Sequence, residues 1–215
     1  MNKEYIFFDL DGTLVDSSKG IFFSLDRTFE KMGLPPMSDE KKCRYIGPPL
    51  EKSFTVFNGM TKEKAAEAVK IFRKYYGEEG TYLHRLYDGM ESALKALKKK
   101  GKILAVATSK PEKYAKIIIE GYKLDKYFDV ISGAEDDGPL GSKEYVLRNA
   151  INRLNIEDYD KCVLVGDTVN DVIGANQVGI DCIGVLYGFG EEKDLLESGA
   201  VDIAELPEDI VRIID

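Results

Sequence analysis

The stretch Tyr5-Ile6-Phe7-Phe8-Asp9-Leu10-Asp11-Gly12-Thr13 decides how this chain is read. Its apolar, aromatic start suits a buried strand, and Gly12 supplies a turn. On an extended chain, residues i and i+2 point to the same side. Asp9 and Asp11 are therefore delivered together, as a pair of carboxylates, to one reaction centre. A solvated turn is the plain alternative for Asp-Leu-Asp-Gly, since these residues are common in turns. The rest of the chain argues against that alternative.

From residue 88 onward, helical patterns alternate with buried apolar runs. A helix is expected from about Gly89 to Lys100, ended by Gly101, followed by a strand at Ile103–Ala107. Further helices are expected from near Pro111, from about Lys143 to Leu154 and from about Asn170 to Val178. The matching strands are expected around Phe128–Ile131, Cys162–Val165 and Asp181–Leu186. Alternation of this kind predicts right-handed crossovers and an α/β fold, a Rossmann-like parallel sheet with helices on both faces. Residues 17–84 instead read as helical throughout, with Ile21, Leu25, Thr28, Phe29 and Met32 at helical spacing. Gly33-Leu34-Pro35-Pro36 and Gly47-Pro48-Pro49 interrupt this block, and helix starts are expected at Ser38 and Thr61. The expected organisation is a catalytic core of residues 1–16 and 85–215, with an inserted helical cap of residues 17–84.

In an open parallel sheet, ligands bind beyond the carboxyl ends of the strands. Asp9 and Asp11, Thr108 and Ser109, and Gly166-Asp167 all fall at such ends. A carboxylate can attack phosphorus to form an aspartyl-phosphate, which suits Asp9. Asp11 can then protonate the leaving oxygen and later deprotonate the attacking water. A phosphate dianion against carboxylates needs a cation, and the pair with Asp167 offers the oxygen ligands that Mg2+ prefers. Asp171, four residues after Asp167, is expected to support it from behind. Thr108-Ser109-Lys110-Pro111 follows a buried strand and opens a helix, so its hydroxyls and free amides form a phosphate cradle. Lys143, near another helix start, offers a positive charge for the transferring phosphoryl group; a solvated surface lysine is the plainer reading.

Composition narrows the setting. The chain has 215 residues, 44% hydrophobic and 32% charged, as an ordinary globular protein does. A net charge of −8 argues against nucleic acid or an anionic membrane as a partner. No apolar window approaches a membrane span and no secretory leader is evident. The three cysteines, Cys43, Cys162 and Cys182, are widely spaced and suit a reducing compartment, so a cytoplasmic location is expected. Cys162 and Cys182 are expected as core residues. Without a heptad pattern or a long apolar edge, a monomer is the default.

Four motifs together resemble the haloacid dehalogenase-like superfamily of phosphatases and phosphotransferases: Asp9-Leu10-Asp11-Gly12-Thr13, Thr108, Lys143, and Gly166-Asp167-Thr168-Val169-Asn170-Asp171. The resemblance implies a Rossmann-like core, a helical cap inserted after the first motif, and Mg2+ held by Asp9, the backbone carbonyl of Asp11, and Asp167. It implies phosphate chemistry too, because the dehalogenases lack the second aspartate. Ile46-Gly47-Pro48-Pro49-Leu50, Thr108-Ser109-Lys110-Pro111 and the run from Gly179 to Gly190 resemble the phosphoglycolate phosphatase-like branch, which includes enzymes acting on nucleoside monophosphates. The stretch Asp136–Ser142 is less typical of that branch and keeps Lys110 open as the alternative to Lys143. Gly47–Leu50 is expected to be a stiff cap loop reaching over the site. Arg44 and Lys52 are candidates to meet a second anionic group, and His84 is read as structural or surface.

The expected activity is Mg2+-dependent hydrolysis of a small-molecule phosphate ester, of the phosphoglycolate or nucleoside monophosphate class. A sugar phosphomutase of the same fold, resembling beta-phosphoglucomutase, is the enzymatic alternative. A non-catalytic phosphate-binding module is the other.

Overall fold

The computed structural model describes residues 1–135 and 141–214. Six parallel strands form one sheet. In chain order they are β1 (Tyr5–Phe8), β2 (Ile103–Pro111), β3 (Val130–Ala134), β4 (Cys162–Gly166), β5 (Asp181–Val185) and β6 (Asp202–Ala204). Their spatial order is β3-β2-β1-β4-β5-β6, which reverses direction at β1. That reversal opens the crevice in which doubly wound sheets bind ligands, and β1 is the strand that carries Asp9.

Side-chain alternation along β1 sorts the core into two layers. Ile6 and Phe8 pack with Met90, Leu94, Leu97 and Ile118 on one face. Phe7 packs with Val146, Leu147, Ala150, Val172 and Ala175 on the other. Asp9 continues the Phe7 face by period two, so it points toward the side covered by helices Lys143–Arg153 and Val169–Val178. Register completes the placement. Phe8 is level with Val106 of β2 and Val165 of β4, and the Asp9 N–H donates to the Val165 carbonyl at 2.9 Å. Cys162 and Cys182 are fully buried in the core, as free thiols.

Several expected boundaries move. β3 begins at Val130 rather than Phe128, because Phe128 closes a short 3-10 turn and the Asp129 carboxylate accepts from the Leu104 N–H. β2 runs past Ala107 to Pro111, with a register irregularity between Ala107 and Pro111. Thr108-Ser109-Lys110 therefore lies in an irregular strand end and not in a helix start; Pro111 caps the helix Glu112–Gly121. β6 and the helices Glu192–Glu197 and Pro207–Ile214 complete the chain. The Asp136–Leu140 part of the less typical stretch lies outside the described residues.

The chain divides into two compact units, Met1–Val15 with Leu86–Asp215, and Asp16–Arg85. The second unit holds helices Ser18–Lys31, Asp39–Cys43, Leu50–Asn58 and Lys62–Glu78. Within it, Gly20 and Gly80 come so close that a Cβ at Gly20 would collide with the Gly80 carbonyl. Phe54 is fully buried and meets both Phe29 and Tyr45. Lys42 is buried and paired with Asp26 at 2.7 Å and Asp39 at 3.0 Å. Gly47 has a φ of 96° and Pro49 caps the helix that follows, which accounts for the break in helical pattern. Arg44 lies over the Phe57 ring, Lys52 is exposed and His84 half-buried. Among the described residues, no helix is long and apolar enough to cross a membrane.

Candidate active site

Asp9, Asp11, Thr108, Lys110, Lys143, Asp167 and Asp171 are all buried, at the carboxyl ends of β1, β2 and β4 or at the starts of the helices Lys143–Arg153 and Val169–Val178. Ser109 is half-buried at the same strand end. So many buried charges are tolerable only if they pair. Each β1 carboxylate does so with its own lysine: Lys143 Nζ is 2.7 Å from Asp9 Oδ1, and Lys110 Nζ is 2.8 Å from Asp11 Oδ2.

Lys143 opens its helix behind the cap Ser142, whose hydroxyl accepts from the Tyr145 N–H at 3.2 Å. Its ammonium donates to the Ala107 carbonyl at 2.9 Å and also lies 2.8 Å from Asp171 Oδ1. The Ala107 bond is the aligned one; Asp9 Oδ1 and Asp171 Oδ1 meet the ammonium as charges, without hydrogen-bond geometry. Burial works against the Lys143 charge, but Asp171 and Asp9 outweigh it and hold the ammonium above its ordinary value. Asp9 shows the opposite balance. Burial lifts its carboxyl from 3.8 to about 6, Lys143 pulls it down, and Asp171 pushes it up. Asp167 is also raised, by burial first and then by Asp171 and Asp9.

Asp171 sits at the third position of the helix Val169–Val178, where Oδ2 accepts from the N–H and hydroxyl of the cap residue Thr168 at 2.9 and 2.8 Å. Its Oδ2 thus accepts two hydrogen bonds, while Oδ1 faces the Lys143 ammonium as a charge. Asp167 is held by Thr13, whose hydroxyl donates to Oδ1 at 3.4 Å, and by the Phe189 N–H, which donates to Oδ2 at 2.9 Å. Carboxylate oxygens of Asp9, Asp167 and Asp171 lie within 4.8 Å of one another. This cluster is short of positive charge and offers the hard oxygen donors that suit a divalent cation. The Asp11 side chain is directed to Lys110 instead. Thr108 uses its hydroxyl to accept from the Lys110 N–H at 3.2 Å.

Sequence reasoning took Gly12 as a turn residue and did not single out Gly174 or Gly188, yet all three let this cluster close. A Cβ at Gly12, at a φ of +83°, or at Gly188 would collide with the Asp167 side chain. A Cβ at Gly174 would sit 2.5 Å from both Cβ and Cγ of Lys143. Gly174 had a readable signal: glycine inside a helix costs about 1 kcal/mol relative to alanine and asks for a packing reason. Thr13 and Phe189 lie within stretches that the sequence marks, but their hold on Asp167 was not readable, since one acts at long range and the other through its backbone.

Fold and site together define a Rossmann-like α/β protein with a cluster of buried carboxylates at its strand ends. The chain belongs to the haloacid dehalogenase-like hydrolase family, which it matches over residues 6–185. A 5'-nucleotidase of Pseudomonas aeruginosa is 37% identical over 190 residues, which cover 88% of this chain and 86% of that protein. A phosphoglycolate phosphatase of Aquifex aeolicus is 32% identical over 214 residues, covering 98% of this chain and 96% of the relative. A crystal structure titled as a predicted phosphatase from Clostridium acetobutylicum matches with a TM-score of 0.96 at 38% identity, over 100% of this chain and 99% of that one.

Proposed function

We propose that this phosphoric monoester hydrolase cleaves a small-molecule phosphate, of the phosphoglycolate or nucleoside monophosphate class, through an aspartyl-phosphate on Asp9. One observation carries the reading: two carboxylates, two residues apart at the end of β1, are both buried and each is matched to a separate lysine. One residue is thereby suited to attack and the other to move a proton. Lys143 fixes Asp9 Oδ1 through a position itself fixed by Ala107 and Asp171, so the nucleophile is oriented before the substrate arrives. Thr108 and Ser109 are assigned to the phosphate oxygens, Thr108 through its hydroxyl. The relatives named above support this class of substrate.

Asp9 and Asp167, with the backbone carbonyl of Asp11, are the groups assigned to Mg2+, and Asp171 is assigned to supporting them. The fit follows from the charge shortage: burial and mutual repulsion raise both Asp9 and Asp167, and a divalent cation relieves that repulsion. When bound, Mg2+ supplies neutralisation of the phosphate dianion as it meets the carboxylates.

As the bond between Asp9 and phosphorus forms, the electron pair of the ester P–O bond passes to the leaving oxygen. That oxygen takes a proton from Asp11 and departs as an alcohol. Asp11 then removes a proton from water as the water attacks phosphorus, which frees Asp9 and inorganic phosphate. The test is phosphate release from phosphoglycolate, nucleoside monophosphates, sugar phosphates and p-nitrophenyl phosphate, with Mg2+ or with a chelator, beside Asp9→Asn. Metal-dependent release that the variant abolishes is expected. Absence of release from every ester would overturn the reading.

A further inference from the structure

Two lysines reach this site, and the reaction as derived uses one of them. Lys110 comes from the irregular end of β2, where the five residues from Ala107 to Pro111 oppose the shorter stretch from Ser132 to Ala134 of β3. Bulges of this kind re-aim side chains beside active sites. Here the irregularity is held locally by the Lys110 N–H, which donates to Thr108 Oγ1 at 3.2 Å. The ammonium reaches Asp11 Oδ2 at 2.8 Å, with both side chains largely buried. Asp11 Oδ1, also buried, has no hydrogen-bond partner among the described residues. A buried carboxylate oxygen without a donor is costly and calls for a role.

We propose that Lys110 is a positioning residue for Asp11: by occupying Oδ2 it leaves Oδ1 as the oxygen that gives and takes the proton. The assignment rests on the phosphatase reading above. In the first half-reaction the P–O bond breaks toward the leaving oxygen, and the proton on Asp11 Oδ1 moves to it, giving the alcohol and an ionised Asp11. In the second, water gives its proton back to Oδ1 while its oxygen bonds to phosphorus and the Asp9–phosphorus bond breaks. Lys110 keeps its protons throughout. Its contribution is to fix one rotamer of Asp11, so that the proton-bearing oxygen faces the ester and not the protein.

A residue that acts through the general acid matters most where the leaving group needs a proton. p-Nitrophenolate leaves readily as an anion, whereas an alkoxide does not. The experiment compares kcat/KM for p-nitrophenyl phosphate, phenyl phosphate and propyl phosphate in wild type, Asp11→Asn, Lys110→Met and Lys110→Gln, with Mg2+ supplied. General acids contribute about 10²- to 10⁴-fold. The propyl to p-nitrophenyl ratio is therefore expected to fall about tenfold or more in Lys110→Met, in the direction Asp11→Asn takes. It should fall less in Lys110→Gln, which keeps a donor. An equal loss on all three esters would overturn the role, and so would a Lys110→Gln ratio equal to wild type should the Met variant fail to fold. A defect confined to the KM of phosphoglycolate, measured alongside, would instead make Lys110 a contact for a substrate carboxylate. Wild type inactive on every ester removes the phosphatase reading itself, whereas an active wild type with a uniform loss removes only the part given to Lys110.

Discussion

Asp9→Asn should make the metal-free protein more stable at pH 7 while abolishing turnover. The Asp9 carboxyl is pushed from 3.8 to about 6, with burial the largest cause, Lys143 opposing it and Asp171 adding to it. A raised carboxyl keeps its proton longer in the folded chain than in the unfolded one. Its contribution to stability is therefore complete below pH 3.8 and is lost as pH rises through about 6. The loss above that point is about 3 kcal/mol, at roughly 1.4 kcal/mol per pH unit of displacement. Asparagine resembles the neutral acid in volume and polarity, so the variant avoids most of this loss. The expected gain in a chelating buffer is about 2–3 kcal/mol at pH 7, shrinking to about 1 kcal/mol at pH 4.5. For a chain of this size it corresponds to a Tm rise of roughly 5–10 °C at pH 7. Urea unfolding and thermal unfolding at the two pH values provide the measurement. A variant less stable than wild type at pH 7, or one with the same gain at both pH values, would refute the claim that burial dominates Lys143 at this carboxylate.

Three further outcomes follow from the same geometry. Lys143→Met strips the cation from Asp9 and Asp171, and breaking a buried pair costs about 3–5 kcal/mol; a loss below about 1 kcal/mol in urea at pH 7 would mean the pair is not buried as described. Gly174→Ala gains about 1 kcal/mol of helix propensity but drives a methyl against Lys143. It should lower kcat about tenfold or more through a displaced ammonium, and a variant that is both fully active and more stable would contradict that contact. Mg2+ at 100 times its Kd should stabilise the wild type by about 2.7 kcal/mol at pH 7, with a smaller effect near pH 5, below the value of about 6 to which the Asp9 carboxyl is raised. A Tm rise that is the same at both pH values, or absent, would count against binding at the ionised carboxylates.

The strands that build the site were the most legible part of the sequence, because burial on both faces leaves continuous apolar runs such as Ile103–Ala107 and Cys162–Val165. Their outer ends were less so. β2 continues through Thr108-Ser109-Lys110, whose polar composition hides a strand held by a register irregularity. β6 spans only Asp202–Ala204 and is too short to show alternation. At the site, the spacing Asp9, Asp11 and Asp167, Asp171 reads directly from local geometry. Spacing alone did not separate Lys110 from Lys143, since each arrives from a distant segment. The structure brings both to carboxylates, Lys143 to Asp9 and Lys110 to Asp11. The glycines at positions 12, 174 and 188 act through absent side chains, and only contact across the fold reveals what they make room for.

The central claim is that Asp9 becomes covalently phosphorylated during turnover. Rapid acid quench during hydrolysis, followed by borohydride reduction, converts an aspartyl-phosphate to homoserine, which peptide mass spectrometry locates. Homoserine at Asp9, formed only with ester and Mg2+ both present and not at Asp11, is the expected result. Phosphate release that proceeds with Asp9 unmodified, or with the label at another residue, would contradict it.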